Sequence, residues 1–505
     1  MKEKNYGVQL ISYPDSLGKD LKELDIVLNK YFKDVIKGIH ILPFYPSSAD
    51  RGFAPLTHRQ IDPKFGNQDD LKKISQNFEL MVDLIVNHVS SESRYFQDYL
   101  ENGDNSKYRN YFIKAKYFSR RWNGKPSHKV LRFVFNLVAN TTTFLRNVDI
   151  IFHKHGVNKL ILKKIYRPRP GSPFVKFKRR DGSTRYLWCT FGPGQIDLNI
   201  KSEAVRRKFS RDIKFLESIG ADTIRLDAVA YAGKKRGTNS FFIKETKNFI
   251  KWLAKHSHNH NMMVVPEVHF HYKTQIALSK IKGVDFVYDF SLPILLLHAI
   301  YSKNTNYLIN WIKLRPTNII STLDTHDGIG VIDAEGLLPP DEVKKTSDKI
   351  YQNGGNATKR ASGNNSQNVD TYQINCTYYS ALDKNDDAYL LARAIQLFLP
   401  GIPQIYYVGM LAGENDQALL KKTNNGRDIN RHYYSIEEID KASKNETVKE
   451  LFYLCKLRNG HPAFKGSFSF SSTKDTVLVL EWKYKRHKLK LITDFQTQKF
   501  DIIKM

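Results

Sequence analysis

Eight short, almost continuously apolar runs recur along the chain, each bounded by turn residues. They are GVQLISY from Gly7, GIHILPF from Gly38, LMVDLIVNH from Leu80, DTIRLDAVA from Asp222, MMVVPEVH from Met262, DFVYDFSL from Asp285, NIISTLDTHD from Asn318 and GIPQIYYVG from Gly401. A strand covered on both faces reads this way, because neither face meets water. Between the runs lie stretches with apolar residues at helical spacing, such as LKELDIVLNKYF from Leu21 and NFIKWLAKH from Asn248. The alternation predicts an α/β fold built on a (β/α)8 TIM barrel. The connections after the third and seventh runs are too long for ordinary loops and predict inserted subdomains. Beyond the eighth run, a helical region near Asp440 to Arg458 precedes GSFSFSS, TVLVLEWKY, KLKLITDF and KFDIIK. Their period of two predicts a small C-terminal antiparallel β domain. The expected division is a barrel from 1–88, 202–328 and 382–463, inserts at 89–201 and 329–381, and a C-terminal domain at 464–505.

Composition narrows the class. With 505 residues the chain is expected to hold more than one core, and 41% hydrophobic and 12% aromatic residues exclude a disordered protein. No apolar run reaches the ~18–20 residues of a membrane span. The opening MKEKNYGVQLISYPDS has no apolar stretch ahead of a small-residue cleavage site, so a cytoplasmic protein is expected. Cys189, Cys376 and Cys455 lack C-x-x-C spacing, which excludes a disulfide framework and the usual zinc signatures. The 79 Lys and Arg against 51 Asp and Glu give a net charge of +28, a reason to consider anionic partners. The lysines are scattered, however, and no zinc-finger, RNP or P-loop string is present. A small phosphate-bearing substrate therefore fits better than nucleic acid or a membrane.

Polar residues gather where the apolar runs end, and in a barrel that end is the active face. They are Asp83, Asn87 and His88 after the third run, Arg225 and Asp227 on the fourth, Glu267 and His269 on the fifth, His326 and Asp327 on the seventh. Burying charges unpaired is expensive, so acids converging on one mouth call for chemistry. Paired carboxylates there suit glycosyl transfer, one meeting the sugar carbon and the other protonating the leaving oxygen. Plainer readings stand beside these. Asp83 reads as a structural hydrogen-bonder, and His40, His298 and His461 as core or surface residues. HSHNH around His256 lacks carboxylate partners and reads as a solvated loop.

The strings DLIVNH, IRLDAVAYA, VPEVH and LDTHDGIG resemble the four signature regions of the α-amylase superfamily, glycoside hydrolase family 13. QLISYPDSLG, ADRGFAP, YRPRPGSPF, QINCTYYSAL, PGIPQIYYVGMLAG and NNGRDINRHYYS are more narrowly similar to its sucrose phosphorylase subfamily. That resemblance implies Asp227 as the nucleophile, Arg225 as the cation that keeps it ionised, Glu267 as general acid and then base, and Asp327 as the stabiliser of the distorted sugar. His88 and His326 would contact the same ring, with Phe53 and Tyr231 beside it, and Asp50 and Arg427 would close the pocket's end. Tyr166, Arg169 and Tyr372 would meet phosphate. Phe191, Gln195, His269, Asp370, Tyr372 and Gln373 would form the acceptor site. The implied activity is reversible, retaining phosphorolysis of sucrose to α-glucose 1-phosphate and fructose through a β-glucosyl-enzyme. No cofactor is implied, phosphate being a co-substrate, and a monomer or homodimer is expected.

Two segments depart from the subfamily. Residues 119–165 are basic, with Asp149 as the lone acid, where a shorter and partly acidic stretch is expected. An insertion, a membrane- or partner-facing element and an out-of-frame stretch all fit it. Thr371 stands where an aliphatic residue is usual, and its hydroxyl would suit a more polar acceptor. Competing activities are therefore phosphorolysis of sucrose 6-phosphate or a glucosyl-polyol, hydrolysis of sucrose, or an inactive basic binding protein.

Overall fold

All eight apolar runs form strands: β1 (Gln9–Ser12), β2 (Gly38–Ile41), β3 (Glu79–Ile85), β4 (Thr223–Asp227), β5 (Met263–Pro266), β6 (Val287–Asp289), β7 (Ile319–Ser321) and β8 (Ile402–Tyr406). They come from a computed structural model that describes residues 7–115, 159–169, 171–362 and 368–505, without the side chains of 159–161 and 357–372. The strands pair in parallel in the order β6–β7–β8–β1–β2–β3–β4–β5. Chain neighbours β5 and β6 thus stand at the two ends of the sheet. Inside it, Met81, Val265, Tyr288, Phe290, Ile320 and Ile402 share one buried cluster drawn from β3, β5 and β6 to β8. This is the expected barrel, its interior filled with side chains.

Helices cover the outside of the strands. Glu203–Ser218 and Lys244–His258 flank β4 and bury one face each, including Phe209, Ile213, Phe249 and Leu253. The first helix, Leu21–Val27, is capped by Asp20, whose side chain accepts from the amides of Lys22 and Glu23. Its predicted continuation through Phe32 is a wider π turn rather than α-helix.

After β3, His88–Ser90 pairs antiparallel with Gln195–Asp197, and Phe174–Lys178 pairs with Thr184–Trp188. Ile113, Ala115, Leu162, Ile165, Phe174 and Trp188 form a small core of their own there. Most of the atypical basic stretch, residues 119–158, lies outside the described residues. After β7, Asn368–Asn375 pairs with both Asn356–Ser362 and Ile329–Gly330. At the C-terminus, β9 (Ser467–Lys474), β10 (Val477–Tyr484), β11 (His487–Asp494) and β12 (Lys499–Lys504) make an antiparallel sheet. Leu478, Leu480, Trp482, Leu489 and Leu491 alternate inward, and the Trp482 indole donates to the Phe398 carbonyl at 2.6 Å.

The histidines of HSHNH differ from the expectation. His256 and His258 lie in the last helical turn, His258 meets Asp285 at 2.9 Å and His260 meets Glu217 at 2.7 Å. Those carboxylates come from segments distant in sequence, so local spacing could not reveal them. Among the described residues no helix is long and apolar enough to cross a membrane.

Candidate active site

Asp227 is the last residue of β4, and Arg225 two residues earlier faces the same way, as the period of a strand requires. Across the ladder Arg225 stands in register with Asp83 of β3. Its Nη1 donates to Asp83 Oδ1 at 2.5 Å and to Asp227 Oδ1 at 3.0 Å, while Nη2 lies 3.7 Å from Glu267 Oε1. One buried guanidinium therefore serves three carboxylates. His40 completes the floor, with Nε2 2.8 Å from Asp83 Oδ2. Burial alone would raise Asp83, but Arg225 and His40 hold its carboxyl down at about 2. Asp83 is thus a permanent anion that orients Arg225.

Asp227 itself departs from the expectation that Arg225 keeps it ionised. Burial pushes its carboxyl well above the ordinary range; Arg225 opposes this without overcoming it, and Glu267, Asp83 and Asp327 add to the rise.

Backbone geometry holds the pair together. The Glu267 amide donates to the Leu226 carbonyl at 3.1 Å, extending the β4–β5 ladder. Ala228 takes a left-handed conformation (φ 52°), and its amide donates to Glu267 Oε2 at 3.0 Å. A left-handed alanine costs roughly 1 kcal/mol, and here it turns the chain so that strand end and acid face one cavity.

That cavity, of about 370 Å³, opens over Asp227, Glu267 and Asp327. Arg427 Nη1 lies 3.2 Å from Asp327 Oδ1 and 3.4 Å from Asp50, tying the two acids together at one end of the cavity. Burial would raise Asp327, yet Arg427, His326, His269 and Arg431 together hold it well below the usual carboxylate range. Asp50 is lowered against its own burial by Arg427 and Arg431. His326 lies flat on Phe53, the ring centroids 4.9 Å apart, and burial pushes its imidazole down to about 3. His88 Nε2 is 2.8 Å from the Phe53 carbonyl, which can only accept, so that nitrogen carries the proton. Burial lowers His88 as well. The end is lined by two neutral imidazoles, one aromatic face and two fixed anions, a lining suited to an uncharged, hydroxyl-rich ring.

The same cavity is also lined by Arg169, Phe191, Gln195, Tyr231, His269 and Gln373. Phe191 sits edge-on to both His88 (5.4 Å) and Tyr231 (5.2 Å). Tyr166 packs against Phe241, Phe270 and the cavity-lining Tyr231. Asp370, Thr371 and Tyr372 lie on the strand that carries Gln373, with their side chains outside the described atoms.

Two supporting groups escaped the sequence reading. Lys234, fully buried, lies 2.7 Å from Asp197 and donates to Asn87 Oδ1 at 3.0 Å, bracing the His88 turn from below. Asp333, also fully buried, receives His269. An acid inside the apolar string GIGVID was the only signal for the second, and nothing local marked the first. Glu267, His269 and Asp327 bring donor atoms within 4.8 Å of one another, as a metal site would. Arg225 and Arg427 already lie against those carboxylates, so the cluster has its positive charge and fits a sugar better than an ion.

Comparison with known proteins shows the family. The alpha amylase catalytic domain matches residues 12–314. A sucrose phosphorylase of Streptococcus mutans is 40% identical over 477 residues, covering 94% of this chain and 92% of its own. A glucosylglycerol phosphorylase of Marinobacter adhaerens is 38% identical over 496 residues, covering 97% and 95%. The crystal structure of sucrose 6F-phosphate phosphorylase from Thermoanaerobacter thermosaccharolyticum superposes with a TM-score of 0.88 at 39% identity, covering 99% of this chain and 96% of that one.

Proposed function

The chain belongs to the alpha-amylase family, with phosphorylases among its relatives, and we propose that it catalyses retaining phosphorolysis of sucrose. The observation that carries this reading is a single cavity that brings together the acids Asp227, Glu267 and Asp327, the tie of Asp50 and Asp327 through Arg427, and Arg169. That tie would select a single, unextended glucosyl unit. Arg169 offers the planar, permanently charged fork that suits a phosphate.

In the first step Asp227 attacks the anomeric carbon while Glu267 gives its proton to the departing fructosyl oxygen. A β-glucosyl ester of Asp227 forms and fructose leaves. Asp327 and the neutral imidazoles of His88 and His326 hold the ring hydroxyls as positive charge develops on the sugar. In the second step a phosphate oxygen attacks the same carbon, the Asp227 ester bond breaks, and the phosphate proton passes to Glu267. Two inversions retain the α configuration, so the product is α-glucose 1-phosphate. Phosphate is the co-substrate, and the proposed chemistry calls for no prosthetic group.

A second reading is favoured by the relatives that act on glucosylglycerol and sucrose 6F-phosphate at comparable identity, and by Thr371 beside the acceptor site. A donor panel separates the two. Sucrose, sucrose 6F-phosphate, glucosylglycerol and glucosylglycerate are each incubated with phosphate and compared by kcat/KM for glucose 1-phosphate release. Sucrose is expected to exceed the others by at least about tenfold, a difference worth ~1.4 kcal/mol in transition-state binding. Any other donor leading by that margin replaces sucrose in the assignment.

A further inference from the structure

His269 is set between two carboxylates. Its Nδ1 lies 3.1 Å from Asp333 Oδ2, and its Nε2 lies 3.4 Å from Glu267 Oε1. Asp333 is wholly buried, and its other oxygen takes the Phe270 amide at 3.1 Å and the Gln275 amide group at 3.4 Å. A carboxylate held in place by these donors orients the ring with Nδ1–H toward itself. The Phe290 ring stacks on the imidazole at 3.7 Å and fixes its plane.

The fourth neighbour is Gln373, whose Nε2 lies 3.4 Å from His269 Nε2 while its buried Oε1 has no hydrogen-bond partner. Amide oxygen and nitrogen are nearly isosteric. Turning that amide over puts Oε1 against His269 as an acceptor for an Nε2–H. Both ring nitrogens then donate, which is the imidazolium form.

We propose that Asp333 is a positioning residue for the acceptor half-reaction: it holds His269 as an imidazolium whose Nε2–H faces Glu267 and the acceptor space, giving an anionic acceptor a second cation besides Arg169. The proposal rests on the phosphorolytic reading above and deepens it. When Glu267 has given its proton to fructose, the site holds Glu267, Asp327 and Asp333 as anions, and phosphate brings more negative charge. An imidazolium lining the same cavity offsets that repulsion where phosphate enters.

Among the described residues, the charged and titratable groups beside the ring include Glu267 just after β5, His326 and Asp327 in the turn that follows β7, Asp333 from the segment Ile332–Ala334, and Arg225 from β4 beside the same small cavity. Burial lowers the imidazole, but Asp333, Glu267 and Asp327 together raise it above its ordinary value. A raised imidazole keeps its proton at lower pH and loses it as pH rises. Phosphate use should therefore fall on the alkaline side, and removing the Asp333 charge should move that limb to lower pH.

Asp333→Asn and Asp333→Glu test this, with glucose 1-phosphate and free glucose measured separately from sucrose across pH. For Asp333→Asn the expected result is a roughly tenfold or greater rise in KM for phosphate, the size of one charge-assisted contact, and a fall in the ratio of phosphorolysis to hydrolysis. The alkaline limb should move toward neutrality, and Asp333→Glu should restore part of both. Equal losses of both products with the alkaline limb unmoved would mean a purely structural role and would overturn the proposal. Nitrogen-15 histidine spectra of the wild-type protein, assigned with His269→Gln, decide the pair even if Asp333→Asn does not fold. Two protonated nitrogens at pH 7 support the imidazolium, and a neutral ring overturns it. A wild-type enzyme that makes no glucose 1-phosphate defeats the phosphorolytic reading instead, leaving the spectra to judge the Asp333–His269 pair.

Discussion

Asp227→Asn should lower turnover of sucrose with phosphate by at least about 10⁴-fold, because an amide cannot form the covalent glucosyl ester through which both half-reactions pass. Arg225 makes the expectation specific. It touches Asp83, Asp227 and Glu267 together, so the variant keeps two of its three carboxylate contacts. The protein should consequently fold, and its melting temperature should change far less than its rate. The check is steady-state release of glucose 1-phosphate, with circular dichroism to establish that the variant is folded. Residual activity above about 1% of wild type would mean that another group attacks the sugar.

Glu267→Gln has the second largest expected effect, and it depends on the leaving group. Fructose needs a proton on its departing oxygen, so sucrose phosphorolysis should fall about 10²–10⁴-fold, the usual worth of a general acid. Fluoride needs little protonation, so α-glucosyl fluoride should retain much of its rate in forming the glucosyl-enzyme. The Ala228 amide, which donates to Glu267 Oε2, can donate equally to the glutamine carbonyl and keep the local geometry. Loss of both donors to the same extent would remove the acid role from Glu267 and leave it a binding residue.

Much of this molecule is legible in its sequence, and the physical reason differs from part to part. The eight barrel strands stand out because both faces of each are covered, which forces a nearly unbroken apolar run. Asp227, Glu267 and Asp327 stand out because strand ends are where an otherwise apolar run abruptly carries charge. The supporting groups were harder. Asp333 and Lys234 act through tertiary approaches to His269, Asn87 and Asp197 that no local spacing encodes. The carboxylate partners of His258 and His260 were missed for the same reason. The Arg225–Asp227 pair was legible, but the balance between its attraction and the cost of burial was not, since that balance depends on how many other acids crowd the same guanidinium.

The central claim is that one cavity passes a glucosyl unit from a sugar to phosphate with retention. Its most direct test is to incubate the purified protein with sucrose, with and without phosphate, while following glucose 1-phosphate, its anomeric form and free glucose. The account predicts α-glucose 1-phosphate that appears only with phosphate and exceeds free glucose while phosphate is plentiful. Free glucose at the same rate with and without phosphate, or a β-configured phosphate ester, would contradict it.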